Sequence, residues 1–185
     1  MTSRANGRVN IMVNDGNFCF NKCNGYCCTK YTVLITTEDV IRILKNTPLR
    51  PEQFLSLYYV NDDILRYFPK IIMRSEEVVL GLRQRPDGSC IFFLNELGMC
   101  GIHLYKPMVC HTYPFTLNQN GDLQRLENIC PGEWYPNDIE DLKRNIKQAW
   151  YEMNINKKKV KLWNELHPED GFFEFIKFIQ EHKIE

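Results

Sequence analysis

Four of the chain's eight cysteines fall within ten residues, Cys19-Phe-Asn-Lys-Cys23-Asn-Gly-Tyr-Cys27-Cys28, and this cluster constrains the fold more than any other feature. A disulfide between the neighbours Cys27 and Cys28 would strain the peptide that joins them. A chain of 185 residues, 44% hydrophobic and 12% aromatic, can bury a core without such a density of thiols. Thiols packed this closely suit the role of thiolate ligands, to a soft metal ion or to an iron–sulfur cluster.

The redox compartment bears on that choice. The opening residues, Met-Thr-Ser-Arg-Ala-Asn-Gly-Arg-Val-Asn, lack the apolar core of a signal peptide. No apolar run approaches the roughly 20 residues that span a bilayer. Both observations predict a cytoplasmic protein with reduced thiols. A disulfide framework, the usual reading of an even cysteine count in a secreted chain, then lacks its compartment. With 23 basic and 23 acidic residues the formal charge is zero, which gives no net field for nucleic acid or an acidic substrate. Neither a nucleic-acid nor a membrane partner is expected. A protein partner or protein substrate remains open.

Residues 1–16 are polar and aperiodic, and read as an arm or a short edge strand. Cys19, Cys23 and Cys27 have helical spacing, but Gly25, Asn21 and Asn24 argue for a loop or a frayed turn. Tyr31 to Ile35 reads as a short strand. Thr36-Thr37-Glu38-Asp39 starts a helix with Val40, Ile43 and Leu44 inward, and Pro48 stops it. Pro51 opens a second short helix carrying Phe54, Leu55 and Tyr58.

Two hairpins follow. Glu77 to Arg85 and Ser89 to Leu94 read as strands joined by Pro86-Asp87-Gly88, and Thr112 to Asn118 and Asp122 to Leu126 as strands joined by Asn120-Gly121. Ile139, Leu142, Ile146, Ala149, Trp150 and Met153 recur at helical spacing and define the inward stripe of a long helix over residues 137–166. Lys157-Lys158-Lys159 reads as its solvated face. After Pro168, Phe172 to Ile179 forms a last helix whose aromatic residues pack. Asp62-Asp63 and Glu76-Glu77 are solvated turn residues. The fold class is α+β: short hairpins, loops and helices over residues 17–134 hold the metal site, and a helical segment over 137–183 packs on it as part of the same domain.

The other four cysteines are Cys90, Cys100, Cys110 and Cys130, with Gly88, Gly98, Gly101 and Gly132 close by. Glycine lets backbone amides approach a sulfur and stabilise thiolate charge. Cys90-Ile-Phe-Phe-Leu, Cys100-Gly-Ile-His-Leu-Tyr-Lys-Pro-Met-Val-Cys110-His-Thr-Tyr-Pro-Phe and Cys130-Pro-Gly, together with the dense first cluster, resemble the YkgJ-type CxxCxxCC family, a group described as zinc- or iron-chelating proteins. Lys106-Pro107, Cys110 and Tyr113-Pro114-Phe115 carry much of the likeness, which spans residues 17–134. The first spacings depart from the pattern, since three residues rather than two separate Cys19 from Cys23 and Cys23 from Cys27. Which of Cys19 and Cys23 is a ligand therefore stays open. A distant relative, the flagellin lysine N-methylase, implies an iron–sulfur cluster and a link to lysine methylation.

The candidate ligands are thus Cys19, Cys23, Cys27, Cys28, Cys90, Cys100, Cys110 and Cys130. Eight thiols suffice for two [4Fe–4S] clusters, for one cluster and a zinc ion, or for one cluster with spare cysteines. Long separations around glycines suit a cluster held between loops, and zinc is the alternative. His103 and His111 are read as packed or exposed residues, with ligation or proton transfer as the alternatives. Tyr113 is read as packing, Lys106 as a turn residue that can face a cluster, and Trp134 with Tyr135 as a cover or ordinary core.

Overall fold

The computed structural model describes residues 25–127, 130 and 136–184. The expected arm over residues 1–16, Cys19, Cys23, Gly132, Trp134 and Tyr135 lie outside the described residues.

The cysteine pair Cys27 and Cys28 sits on a short helix, α1 (Tyr26–Lys30), rather than in a loop. Gly25 makes this compatible with the local sequence. It precedes the helix at φ 67°, a left-handed conformation that glycine adopts freely. Of the expected strand over Tyr31–Ile35, only an isolated bridge between Leu34 and Gly81 forms.

Helix α2 (Thr37–Asn46) starts as the sequence indicates. The Thr36 hydroxyl accepts from the Asp39 N–H at 3.2 Å, and the Asp39 carboxylate accepts from the Thr36 N–H at 2.9 Å. Val40 and Ile43 are buried on its inner face. Helix α3 (Pro51–Phe54) is shorter than expected, because Leu55 begins a strand, β1 (Leu55–Tyr59). Helix α4 (Asp62–Leu65) follows, then β2 (Ile71–Met73) and β3 (Glu76–Leu82), giving an antiparallel sheet of order β1-β3-β2. The β2–β3 turn is Arg74-Ser75, with φ values of 50° and 67° at two residues that carry side chains.

The expected hairpin forms only at its turn, where Gln84 and Cys90 make an isolated antiparallel bridge and the Ile91 N–H donates to the Arg83 carbonyl at 2.9 Å; beyond it, Ser89–Leu94 does not continue along β3. Its place beside β3 is taken by β1, with Leu55 opposite Leu82 and Tyr59 opposite Val78. The carbonyls of Cys90, Ile91 and Phe93 instead accept from the Arg85 guanidinium at 2.9, 2.7 and 2.6 Å. This satisfies carbonyls of a bent segment that pairs only briefly, with residues 83–85. A two-residue pair, β4 (Phe93–Leu94) with β5 (Met99–Cys100), closes the next loop. A 3₁₀ turn (His103–Tyr105) leads to helix α5 (Met108–Thr112), so Thr112 is helical and the second hairpin is β6 (Phe115–Leu117) with β7 (Leu123–Arg125). The Tyr113–Pro114 peptide is cis.

Helix α6 (Ile139–Leu166) packs on two clusters. Leu142 and Ile146 meet Phe115 and Leu117 of the hairpin, while Val160 and Trp163 join the larger core of Ile35, Phe54, Ile71 and Leu82. Phe175, Ile176, Phe178 and Ile179 of α7 (Phe172–Glu181) complete that core. The Asn164 amide pairs with the backbone of β2 through Ile72 N–H and Lys70 C=O, each at 2.9 Å, and so covers a sheet edge.

The inward stripe of α6 differs from the expected one. Ile139 and Trp150 are 47% and 48% exposed, and the buried face runs instead through Glu152, Ile155, Asn156 and Lys159. Lys159 is no solvated residue: it is 3% exposed and donates to Glu38 at 2.5 Å and to the Ile179 carbonyl at 3.3 Å. Asn156 accepts from the Thr37 N–H at 3.0 Å, and Arg42 forks onto the Glu152 carboxylate. Paired polar groups occupy positions that an apolar pattern assigns to hydrophobic side chains. No helix among the described residues is long and apolar enough to cross a membrane.

Gly81 is the tightest point of the sheet. A Cβ there would stand 2.7 Å from the Tyr58 ring and 3.1 Å from the Val33 carbonyl oxygen. Gly81→Ala is expected to cost about 1–3 kcal/mol, as overpacking of a close-packed core does. Urea unfolding checks this: the midpoint should fall with an unchanged slope. An unchanged midpoint would mean that the Tyr58 ring moves freely aside.

Candidate metal centre

Four separate pieces of chain bring cysteines to one place. Cys27 and Cys28 come from α1, Cys90 from the bend after β3, Cys100 from β5 and Cys110 from α5. All five line a single cavity of about 350 Å³, whose other walls include Phe92, Phe93, Met99, Ile102 and Tyr113. His103 and Lys106 reach the same cavity. Cys130 stands beside Tyr113, one of the cavity's lining residues, and its carbonyl accepts from Arg125 at 3.0 Å.

Local structure fixes each sulfur. The Cys90 N–H donates to the Cys28 carbonyl at 2.7 Å, tying the bend to the end of α1. Arg85 grips the same bend from behind through its three carbonyl contacts. At Gly25 a side chain is excluded, since a Cβ would stand 2.3 Å from the Phe93 ring. The Phe93 ring and α1 therefore close the cavity together. Backbone amides do approach the sulfurs, but they belong to other residues than the glycines: Cys28 for Cys27, Phe92 for Cys90 and Ile102 for Cys100. Two of these follow their cysteine by two residues.

The electrostatics of the site follow from thiols packed in an apolar space. A hydrogen bond from Cys28 lowers the Cys27 thiol from its ordinary value to about 7, with the Cys28 N–H and Lys106 helping. The Cys28 thiol, which donates that bond, is pushed far up. Burial pushes the Cys90 thiol to about 11, against the Phe92 N–H, and Cys100 adds to the rise. Burial raises Cys100 and Cys110 too, and Cys110 also feels Cys27, Cys100 and Cys90. Lys106 opposes the rise at Cys100 and Cys110. His111 stays neutral at ordinary pH, because burial, then Lys106 and Arg42, lower it to about 4. The Tyr113 hydroxyl is raised by burial and by its bond with Tyr31.

These residues fit a thiolate-bound metal group. Charging several sulfurs in one apolar cavity is costly without a cation among them, and a bound metal supplies that cation. A lone zinc ion holds its sulfurs roughly 3.8 Å apart, as tetrahedral bonds of about 2.3 Å require. Among the described residues, no three Cys, His, Asp or Glu side chains already stand in a single-ion grouping, so either metal group would need the sulfurs to draw together.

A helix- and hairpin-built domain with a cysteine-lined cavity defines the class of protein. The chain belongs to the CxxCxxCC family, whose model, "Putative zinc- or iron-chelating domain", matches residues 18–131. Metal binding at the cysteine-rich region is the property this membership supports. Comparison with curated proteins and with solved structures gives no match.

Three features of the site escaped sequence reasoning. Arg85, Asp39 and Gly25 hold the cysteine-bearing segments, yet only Gly25 has a local signal, a glycine just before the adjacent cysteine pair. The thiol order is testable. In metal-free protein at neutral pH, limiting iodoacetamide should modify Cys27 ahead of Cys28, Cys90, Cys100 and Cys110, because Cys27 has the largest thiolate fraction. Cys28→Ala should slow it by removing the donor. Peptide mass spectrometry reads the order, and equal rates at Cys27 and Cys90 would refute it.

Proposed function

We propose that this protein holds an iron–sulfur cluster, of the [4Fe–4S] type, in the cavity formed by Cys27, Cys28, Cys90, Cys100 and Cys110. The observation that carries this reading is the convergence of five cysteines from four chain segments on one cavity of about 350 Å³. Cys19 and Cys23, outside the described residues, and Cys130, beside Tyr113, are the remaining sulfurs for a second group or for exchange. Such a cluster supplies one-electron chemistry when bound.

The chain's own residues set the terms of that chemistry. Phe92 and Ile102 amides donate to the sulfurs of Cys90 and Cys100, which stabilises negative charge. Lys106 adds a positive charge facing the same thiols. Aromatic and aliphatic walls surround the sulfurs, of which Cys90 is the buried one and the other four are half-buried. His111, half-buried next to Cys110, is neutral at ordinary pH and adds no charge to the site. The six described cysteines are free thiols, in keeping with a reducing, cytoplasmic setting.

The activity we favour is electron transfer with a protein partner. A protein-modifying role, as the resemblance to the flagellin lysine N-methylase suggests, is its competitor. Calorimetry of S-adenosylmethionine with the reconstituted protein separates them: measurable binding favours modification, and its absence favours the electron carrier. A zinc-stapled interaction module is the remaining alternative, in keeping with the family's description.

Anaerobically purified protein should be brown and contain iron with acid-labile sulfide. Cys110→Ser and Cys100→Ser should each lower the iron content, while Cys130→Ser should have the smaller effect. Colourless protein that binds stoichiometric zinc and takes up no iron on reconstitution would replace the cluster by zinc. Metal removal should loosen residues 25–127 more than α6 and α7, which hydrogen exchange reads.

A further inference from the structure

A buried carboxylate holds the start of the short helix that carries Cys110. Asp39, in the first turn of α2, is 2% exposed. One oxygen, Oδ2, accepts from the Thr36 N–H and hydroxyl, both at 2.9 Å, and so completes the helix cap. The other, Oδ1, makes bonds that a cap does not need. It accepts from the Met108 N–H at 2.9 Å, 69 residues along the chain, and from Arg42 at 2.5 Å.

Met108 is the first residue of α5, two before Cys110. That helix is five residues long, and its cap, Pro107, offers no side-chain acceptor. Its leading amides need an outside partner. Asp39 Oδ1 is that partner, and it anchors the turn from which the Cys110 sulfur projects to the cavity. Arg42 in turn holds the Glu152 carboxylate of α6 through Nη2, at 2.5 Å to both oxygens. A chain of charged bonds therefore runs from α6 through Arg42 and Asp39 to the cysteine-bearing turn.

We propose that Asp39 is a positioning residue for Cys110 at the metal centre, linked through Arg42 and Glu152 to the long helix α6. The inference rests on the metal reading above. If Asp39 served as a helix cap alone, its loss would lower stability and leave the ligation pattern intact. If it positions Cys110, its loss changes that one cysteine.

The test uses full-length protein reconstituted anaerobically with ferrous iron and sulfide. Alkylation of each cysteine is read by mass spectrometry, beside the visible spectrum. Asp39→Ala should speed alkylation of Cys110 roughly tenfold relative to Cys90 and Cys100, the factor expected from loss of one buried hydrogen bond, and should alter the spectrum. Asp39→Asn has one acceptor oxygen where the carboxylate has two, and should fall between the wild type and Asp39→Ala. Glu38→Gln weakens another α2–α6 ion pair, with Lys159, and is the control: it should reduce stability without changing the cysteine pattern. Equal protection of Cys110 in loaded Asp39→Ala and wild type would overturn the positioning role, as would the same uniform exposure in Asp39→Ala and Glu38→Gln. Should Asp39→Ala fail to fold, wild-type protection in Asp39→Asn would overturn it. Wild-type protein that takes up neither iron nor zinc would overturn the metal reading and this inference with it.

Discussion

Five sulfurs share one apolar cavity, and a negative charge on any of them raises the cost of charging the next. That constraint governs the rest of the site. The protein meets it with what the chain has: a thiol–thiol hydrogen bond at Cys27 and Cys28, two loop amides, and the charge of Lys106. These leave Cys90 at about 11 and Cys110 well above its ordinary value, so full deprotonation calls for a multivalent cation. Metal binding and proton release are therefore one event.

The frame around the cavity has the same logic. Short elements carry the cysteines, and three of them are held by contacts from outside the element. Arg85 secures the Cys90 bend, Gly25 admits the Phe93 ring against α1, and Asp39 secures α5. Helix α6 backs this frame. Its buried polar side chains are matched one by one with α2, so its orientation is set by specific bonds as well as by apolar contact.

Local signals in the sequence were legible. The Thr36–Asp39 capping box, the Asn120-Gly121 hairpin and the long helix before Pro168 each depend on residues close in the chain. Signals that depend on distant partners were not. Leu55–Tyr59 follows a helix-starting proline, yet it becomes a strand because β3 offers it an edge. Arg74-Ser75 turns a hairpin without glycine or asparagine. Lys159 looks like a surface lysine until Glu38, 121 residues away, is beside it. The cysteine count and the family pattern pointed to a metal site, but the roles of the Phe92 and Ile102 amides arise only from the folded loops.

The central claim is that these sulfurs surround a polynuclear group rather than a single ion. Iron-edge X-ray absorption on the reconstituted protein tests it most directly. A shell of sulfur neighbours together with a metal–metal distance is the expected result. Sulfur neighbours without metal–metal scattering at the iron edge, or metal seen only at the zinc edge, would contradict the account.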